Sequence, residues 1–297
     1  MQYAAHTAFV APARARPQLW RFALGLLLTV AIYALGIAAI FGLVTVWSGF
    51  DAARAWMAEL ATETGPTGTL LLLATFVGMA LGPMAAARLL HRRPALSVFG
   101  PVPPMIRQFG LTLLICGVVY AVLALVPVPG ATLLPNIEPM LWASFLPLAL
   151  VGVLLQTGAE EVLFRGYMQQ QLAARFASPL AWMVLPSVVF ALLHYQPDLM
   201  GPNAWLVVLA IFVFSVLAAD LTAVTGTIGA AWALHFVNNA LAILLVATEG
   251  PLSGLALYVT PISPDDPSIR PLLFLDIAST VALWAVVRLA LRWRLRR

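Results

Sequence analysis

Apolar stretches about as long as a bilayer is thick recur from one end of this 297-residue chain to the other, and that recurrence leaves few architectures open. A helix crosses the hydrocarbon core in about 20 mostly apolar residues. Segments of this kind lie near 22–47, 68–90, 109–128, 141–163, 203–221, 226–248 and 271–287, with a shorter one at 180–193 that contains Pro186. Lipid offers no partner to a bare peptide group, so each crossing must satisfy its backbone internally, as a helix does. The expectation is an all-α fold, a polytopic transmembrane helical bundle of about eight helices. Composition agrees: 62% of the residues are hydrophobic and 9% charged, against about 25% charged in a soluble domain. The first stretch exceeds the roughly 7–15 apolar residues of a signal-peptide core and reads as an uncleaved anchor.

All 16 basic residues are arginine, and basic residues near helix ends are retained on the cytoplasmic side. With the N-terminus inside and eight crossings, Arg14, Arg16, Arg21, Arg88, Arg92, Arg93, Arg107, Arg165, Arg175, Arg288, Arg292, Arg294, Arg296 and Arg297 fall inside, and Arg54 and Arg270 outside. The asymmetry supports an even number of crossings, with both termini cytoplasmic in a multi-pass protein of the cell inner membrane. Because the arginines are dispersed over helix ends, the net charge of +4 does not point to nucleic acid. The single cysteine, Cys116, permits neither an intramolecular disulfide nor a thiol cluster and reads as a packing residue.

Charges within apolar helices are costly, so each one is a functional candidate. Two adjacent carboxylates, Glu160 and Glu161, end an otherwise apolar helix, followed by Arg165. On a helix Glu161 and Arg165 are one turn apart and can pair, while Glu160 points about 100° away and stays free for chemistry. An interfacial ion pair is the plainer reading of these three residues alone. His6, in the polar N-terminal segment, and His91, beside Arg92 and Arg93, are expected to be solvated or headgroup-facing. His194 closes an apolar stretch, and His235 lies mid-helix with Asn239 four residues on and therefore on the same face. A glutamate, two histidines and an asparagine on three helices can hold and polarise one water. The carboxylate serves as general base, imidazole shares the water or holds a metal, and the amide donates to a developing oxyanion.

These residues form an ordered triplet: Glu160-Glu161-Val-Leu-Phe-Arg165, then Phe190-Ala-Leu-Leu-His194, then His235-Phe-Val-Asn-Asn239. The triplet resembles the motifs of the CAAX-protease and bacteriocin-processing (CPBP, or Abi) intramembrane peptidases, which include the type II CAAX prenyl endopeptidases. The resemblance covers residues 141–248. It implies that Glu160 with His194 activates the attacking water, that His235 and Asn239 stabilise the oxyanion, and that Glu161 and Arg165 are the supporting ion pair. The family is commonly classed as metallopeptidase. Glu160, His194 and His235 would give the three ligands and open position of a catalytic zinc, and a metal-free Glu/His mechanism fits the same residues equally.

The chain then divides into a cytoplasmic N-terminal segment (1–21), variable N-terminal transmembrane helices (22–140), a catalytic core (141–248) and a last transmembrane helix with a basic tail (249–297). The expected partners are the lipid bilayer and a membrane-associated peptide or protein substrate. Two other classes compete: a proton-coupled transporter, which would favour internal repeats that are not found, and a non-catalytic immunity or scaffold protein, which would be free to lose the triplet. Depth poses one difficulty. If Arg165 marks the cytoplasmic edge, a rise of about 1.5 Å per residue puts Glu160 ~7 Å deep, His235 ~13 Å from Gly226 and His194 ~21 Å from Leu180. A shared site requires either that Glu161 draws Arg165 into the membrane or that the fifth helix enters late and tilted.

Overall fold

The structure, a computed structural model, describes residues 3–59, 65–123, 132–248, 250 and 253–295. Its helices are α1 (Ala4–Val10), α2 (Leu19–Ser48), α3 (Phe50–Glu59), α4 (Pro66–Leu89), α5 (Val102–Leu123), α6 (Pro139–Glu161), α7 (Gln170–Arg175), α8 (Leu185–Leu192), α9 (Pro197–Met200), α10 (Ala204–Thr225), α11 (Gly229–Ala240) and α12 (Arg270–Leu295). Six helical stretches among the described residues are long and apolar enough to cross a bilayer: Leu19–Ser48, Pro66–Leu89, Ala95–Leu123, Pro139–Arg175, Pro197–Thr225 and Pro267–Trp293. The remaining two expected spans are shorter apolar helices, Leu180–Leu192 and Gly229–Leu245. This is a multi-pass helical membrane bundle. Val128, the expected end of the third span, lies outside the described residues, as do Arg296 and Arg297.

The fourth span departs most from expectation. It does not end at the carboxylates: α6 continues through π-helical turns at Val162–Gln169 into α7, so that Pro139–Arg175 is one long helix. Arg165 therefore does not mark a membrane edge. It sits in mid-helix, 1% exposed, with Glu161 as its counter-charge, which is the first of the two ways of resolving the depth difficulty. The helix begins where Pro139 follows Glu138, whose carboxylate accepts from the Leu141 N–H at 2.8 Å as an N-cap does. The N–H groups of Met140 and Leu141 hold that carboxyl below its ordinary range.

Close helix contact depends on small residues. In α4, Gly78 and Gly82 are one turn apart and lie against Tyr33 and Thr29 of α2; a Cβ on Gly82 would stand 2.6 Å from the Thr29 Cα, and one on Gly78 2.8 Å from the Tyr33 Cα. Without a hydrophobic force between helices in lipid, this backbone approach is what van der Waals packing can use.

At the end of the bundle that carries the N-terminus, polar groups are buried rather than solvated. Both histidines expected to face water do not. His6 is buried 4.3 Å from the Trp182 ring and near Phe9, and burial, aided by Arg14, pushes its pKa down to about 4. His91 is buried between the Arg16 carbonyl and the Tyr167 hydroxyl, each 2.9 Å away, and burial also lowers its pKa. The N-terminal segment folds back on the bundle, so that His6 is carried in against Trp182 and the Arg16 carbonyl covers His91. Asp220 ties that segment down, accepting from Tyr3 Oη at 2.9 Å, Trp284 Nε1 at 3.0 Å and Arg288 Nε at 2.6 Å. A small sheet, absent from the sequence reading, stands elsewhere: β1 (Leu134–Pro135), β2 (Val246–Thr248) and β3 (Tyr258–Thr260) pair in the order β1-β3-β2, with β1 antiparallel and β2 parallel to β3.

The helix contact gives a paired expectation. Gly82→Ala forces its Cβ into the α2 backbone and should destabilise by about 1–3 kcal/mol. A Cβ on Gly117 of α5 would meet nothing within 4 Å, so Gly117→Ala should be neutral or stabilising by up to about 1 kcal/mol. Melting temperatures of the detergent-solubilised variants compare them; equal behaviour would refute the α2–α4 packing.

Candidate active site

Four side chains meet at the junction of α6 and its π-helical continuation, three of them near in sequence and the fourth, His235, brought from α11. Glu161 Oε1 accepts from Arg165 Nη1 at 2.8 Å, one turn along the same helix, and from His235 Nδ1 of α11 at 2.9 Å. Glu160 Oε2 lies 3.4 Å from the other ring nitrogen, His235 Nε2. The imidazole is thus held between two carboxylates. Since a carboxylate only accepts, Nδ1 carries the proton directed at Glu161, and Nε2 is the atom presented on the Glu160 side. Glu160, Glu161, Arg165 and His235 are all buried.

Arg165 is neutralised as well as placed. Its Nη2 donates to the Ser215 carbonyl at 3.2 Å and to Ser215 Oγ at 3.0 Å on α10. Its guanidinium lies 5.1 Å from the Phe190 ring centroid and 6.0 Å from that of Phe214, within the range of cation–π attraction. One oxygen of each carboxylate, Oε2 of Glu160 and of Glu161, has no hydrogen-bond partner in the protein although both are buried.

The histidine of the second motif is linked less directly. His194 follows the C-terminus of α8, its Nδ1 bonded to the Phe190 carbonyl at 2.8 Å. The carbonyl only accepts, so the neutral ring keeps its lone pair on Nε2. The Phe190 ring packs 4.8 Å from His194 and 6.1 Å from His235, joining the histidines through an aromatic face. Asn239, one turn beyond His235 on α11, donates from Nδ2 to Gln156 Oε1 at 2.9 Å. Sequence reasoning missed Gln156, Ser215 and Phe214. Gln156 carried a readable signal, being a polar residue in an apolar helix one turn before Glu160; Ser215 and Phe214 carried none.

All three helices that bear the motifs contain π-helical turns: Val162–Gln169 after Glu161, Leu180–Val184 before α8 and Leu241–Leu245 just after Asn239. Such turns are rare and concentrate at functional sites. Gly158 lets α11 approach, since a Cβ there would stand 2.6 Å from the Trp232 ring.

Among the described residues no three His, Cys, Asp or Glu side chains come together as a group able to hold a metal; the Nδ1 bonds of His194 and His235 leave each Nε2 open, as the partners of metal-binding imidazoles do.

Comparison with known proteins adds the following. Residues 141–241 match the family model described as Rce1-like, type II CAAX prenyl endopeptidase Rce1-like, a protease family. The matched segment contains Gln156, Glu160, Glu161, Arg165, His194, His235 and Asn239. A protein of Bacillus subtilis (strain 168) described as the uncharacterized protein YyaK is 24% identical over 256 residues, covering 83% of this chain and 84% of that protein. No solved structure matches the chain.

The cluster should behave as a unit. Glu161→Gln leaves Arg165 without its counter-charge in a buried setting and should cost about 3–5 kcal/mol. Adding Arg165→Gln should recover part of that loss but not all, because Ser215, Phe190 and Phe214 also lose their contacts with the guanidinium. A double-mutant cycle in melting temperature measures this; additive losses would refute the pairing.

Proposed function

We propose, from a chain whose residues 141–241 match the Rce1-like endopeptidase family, that it is an intramembrane endopeptidase hydrolysing a peptide bond of a membrane-associated protein or peptide. The observation that carries the reading is the buried His235 held between Glu161 and Glu160.

In this reading Glu160 is the general base. It takes a proton from a water that the Nε2 lone pair of His194 helps to hold, and the oxygen adds to the scissile carbonyl. The negative charge that develops there is met by Asn239 Nδ2–H and His235 Nε2–H. Glu160 returns its proton to the departing amine as the carbon–nitrogen bond breaks. Glu161 touches no substrate and fixes the orientation and tautomer of His235, as carboxylates do for imidazoles elsewhere. All these steps use protein groups alone. Both termini are placed in the cytoplasm, on the strength of the arginine distribution.

Glu160→Gln should lower turnover by about 10²–10⁴-fold, the worth of a general base, and His194→Ala should do the same, both without loss of membrane insertion. Asn239→Ala should lower kcat by about 10²–10³-fold. Membrane proteomics of cells carrying wild type or Glu160→Gln, searched for peptide termini that depend on the carboxylate, provides both the substrate and the assay. A Glu160→Gln protein that still generates those termini would overturn the assignment. Reporter fusions after Arg93 and Arg297 should both report the cytoplasm; a C-terminal reporter outside would overturn the proposed orientation.

A further inference from the structure

We infer that Gln156 is a positioning residue for Asn239, an inference that rests on the reading of Asn239 as an oxyanion donor. Gln156 is 7% exposed and one turn before Glu160 on α6, so the two project from one side of the helix. Asn239 is one turn after His235 on α11. The two helices are therefore joined by two rungs, Glu160 and Glu161 with His235, and Gln156 with Asn239. Sequence order rises on one side and falls on the other, so the helices run antiparallel here, and the rungs are about 6 Å apart along the axis.

An amide in apolar surroundings needs a partner, and each of these answers the other. The consequence for chemistry lies in which atoms are used. Gln156 Oε1 takes one of the two Asn239 Nδ2 protons and leaves the second. The amide is planar, so holding one N–H fixes the direction of the other. Left alone, the terminal torsion of an asparagine is broad, and the donor would have to be oriented during the reaction. A donor already aimed where charge develops is what makes oxyanion stabilisation effective. Gln156 thus has the same relation to Asn239 as Glu161 has to His235: on each rung a residue of α6 fixes the direction of a donor on α11.

The probe is the peptide whose terminus depends on Glu160, synthesised with a fluorophore and quencher and reconstituted with the full-length protein in vesicles. Gln156→Met, close in size and without the amide, should lower kcat by about 10-fold or more with KM unchanged, while in an Asn239→Ala background it should change kcat by less than about twofold. A residue that only supported the fold would lower both backgrounds alike. If Gln156→Met does not accumulate, Gln156→Asn, which withdraws the acceptor by one methylene, is put through the same cycle. Wild-type kcat in the Gln156 variant beside an impaired Asn239→Ala overturns this inference alone, as do equal losses in the two backgrounds. Wild-type kcat in Asn239→Ala, or no terminus that depends on Glu160, removes the reading of the site and this inference with it.

Discussion

A guanidinium buried in a membrane protein must be neutralised where it stands, and the pairing of Arg165 with Glu161 is the constraint around which the central helices are arranged. Because Arg165 takes Glu161 Oε1, and the same oxygen accepts from His235, α6 and α11 are locked in one rotational setting. Because Nη2 donates to Ser215 and the guanidinium lies against the rings of Phe190 and Phe214, α10 and α8 are drawn to the same point. Four helices are placed by the coordination of one cation, in a medium that cannot solvate it.

What the sequence disclosed follows the range of its signals. Runs of apolar residues show where a chain can cross a bilayer, and the spans were legible for that reason. Spacing of four on a helix is also local, so the pairing of Glu161 with Arg165 and the shared face of His235 and Asn239 could be foreseen. The bonds from His235 to Glu161 and from Asn239 to Gln156 join residues 74 and 83 positions apart, and no local pattern states how α11 is rotated against α6. The continuation of α6 was hidden by Gln169, Gln170, Gln171 and Arg175, polar residues that resemble a loop. The three glutamines are in fact buried: Gln169 donates to the Ala219 carbonyl and Gln170 to those of Phe9 and Ser97. The same tertiary covering misdirected the reading of His6 and His91. Strands of two and three residues are too short to show a period at all.

The polar groups are layered. One layer is the Glu/Arg/His cluster with its amide rung; another is the seam where the N-terminal segment, the end of α10 and the second half of α12 meet at Asp220. Tyr167, on the π-helical turns between α6 and α7, connects this arrangement to His91 and packs against Phe22 of α2. A single helix, Pro139–Arg175, thus carries the buried Glu160, Glu161 and Arg165 at its middle and the anchoring of the chain's beginning near its end, without a loop between them to absorb movement.

The shortness of the helix before His194 has a consequence for the lipid itself. Leu180–Leu192 rises about 20 Å at 1.5 Å per residue, whereas the hydrocarbon core is about 30 Å thick. A segment that falls short is accommodated by local thinning of the bilayer or by flanking side chains reaching outward. The stretches Pro139–Arg175 and Pro197–Thr225 beside it are long enough to hold the full thickness, so the mismatch would be felt at α8 itself. Thinning there would bring the lipid surface toward the end of α8 and leave an interfacial water molecule less oil to cross before it reaches the His194 imidazole.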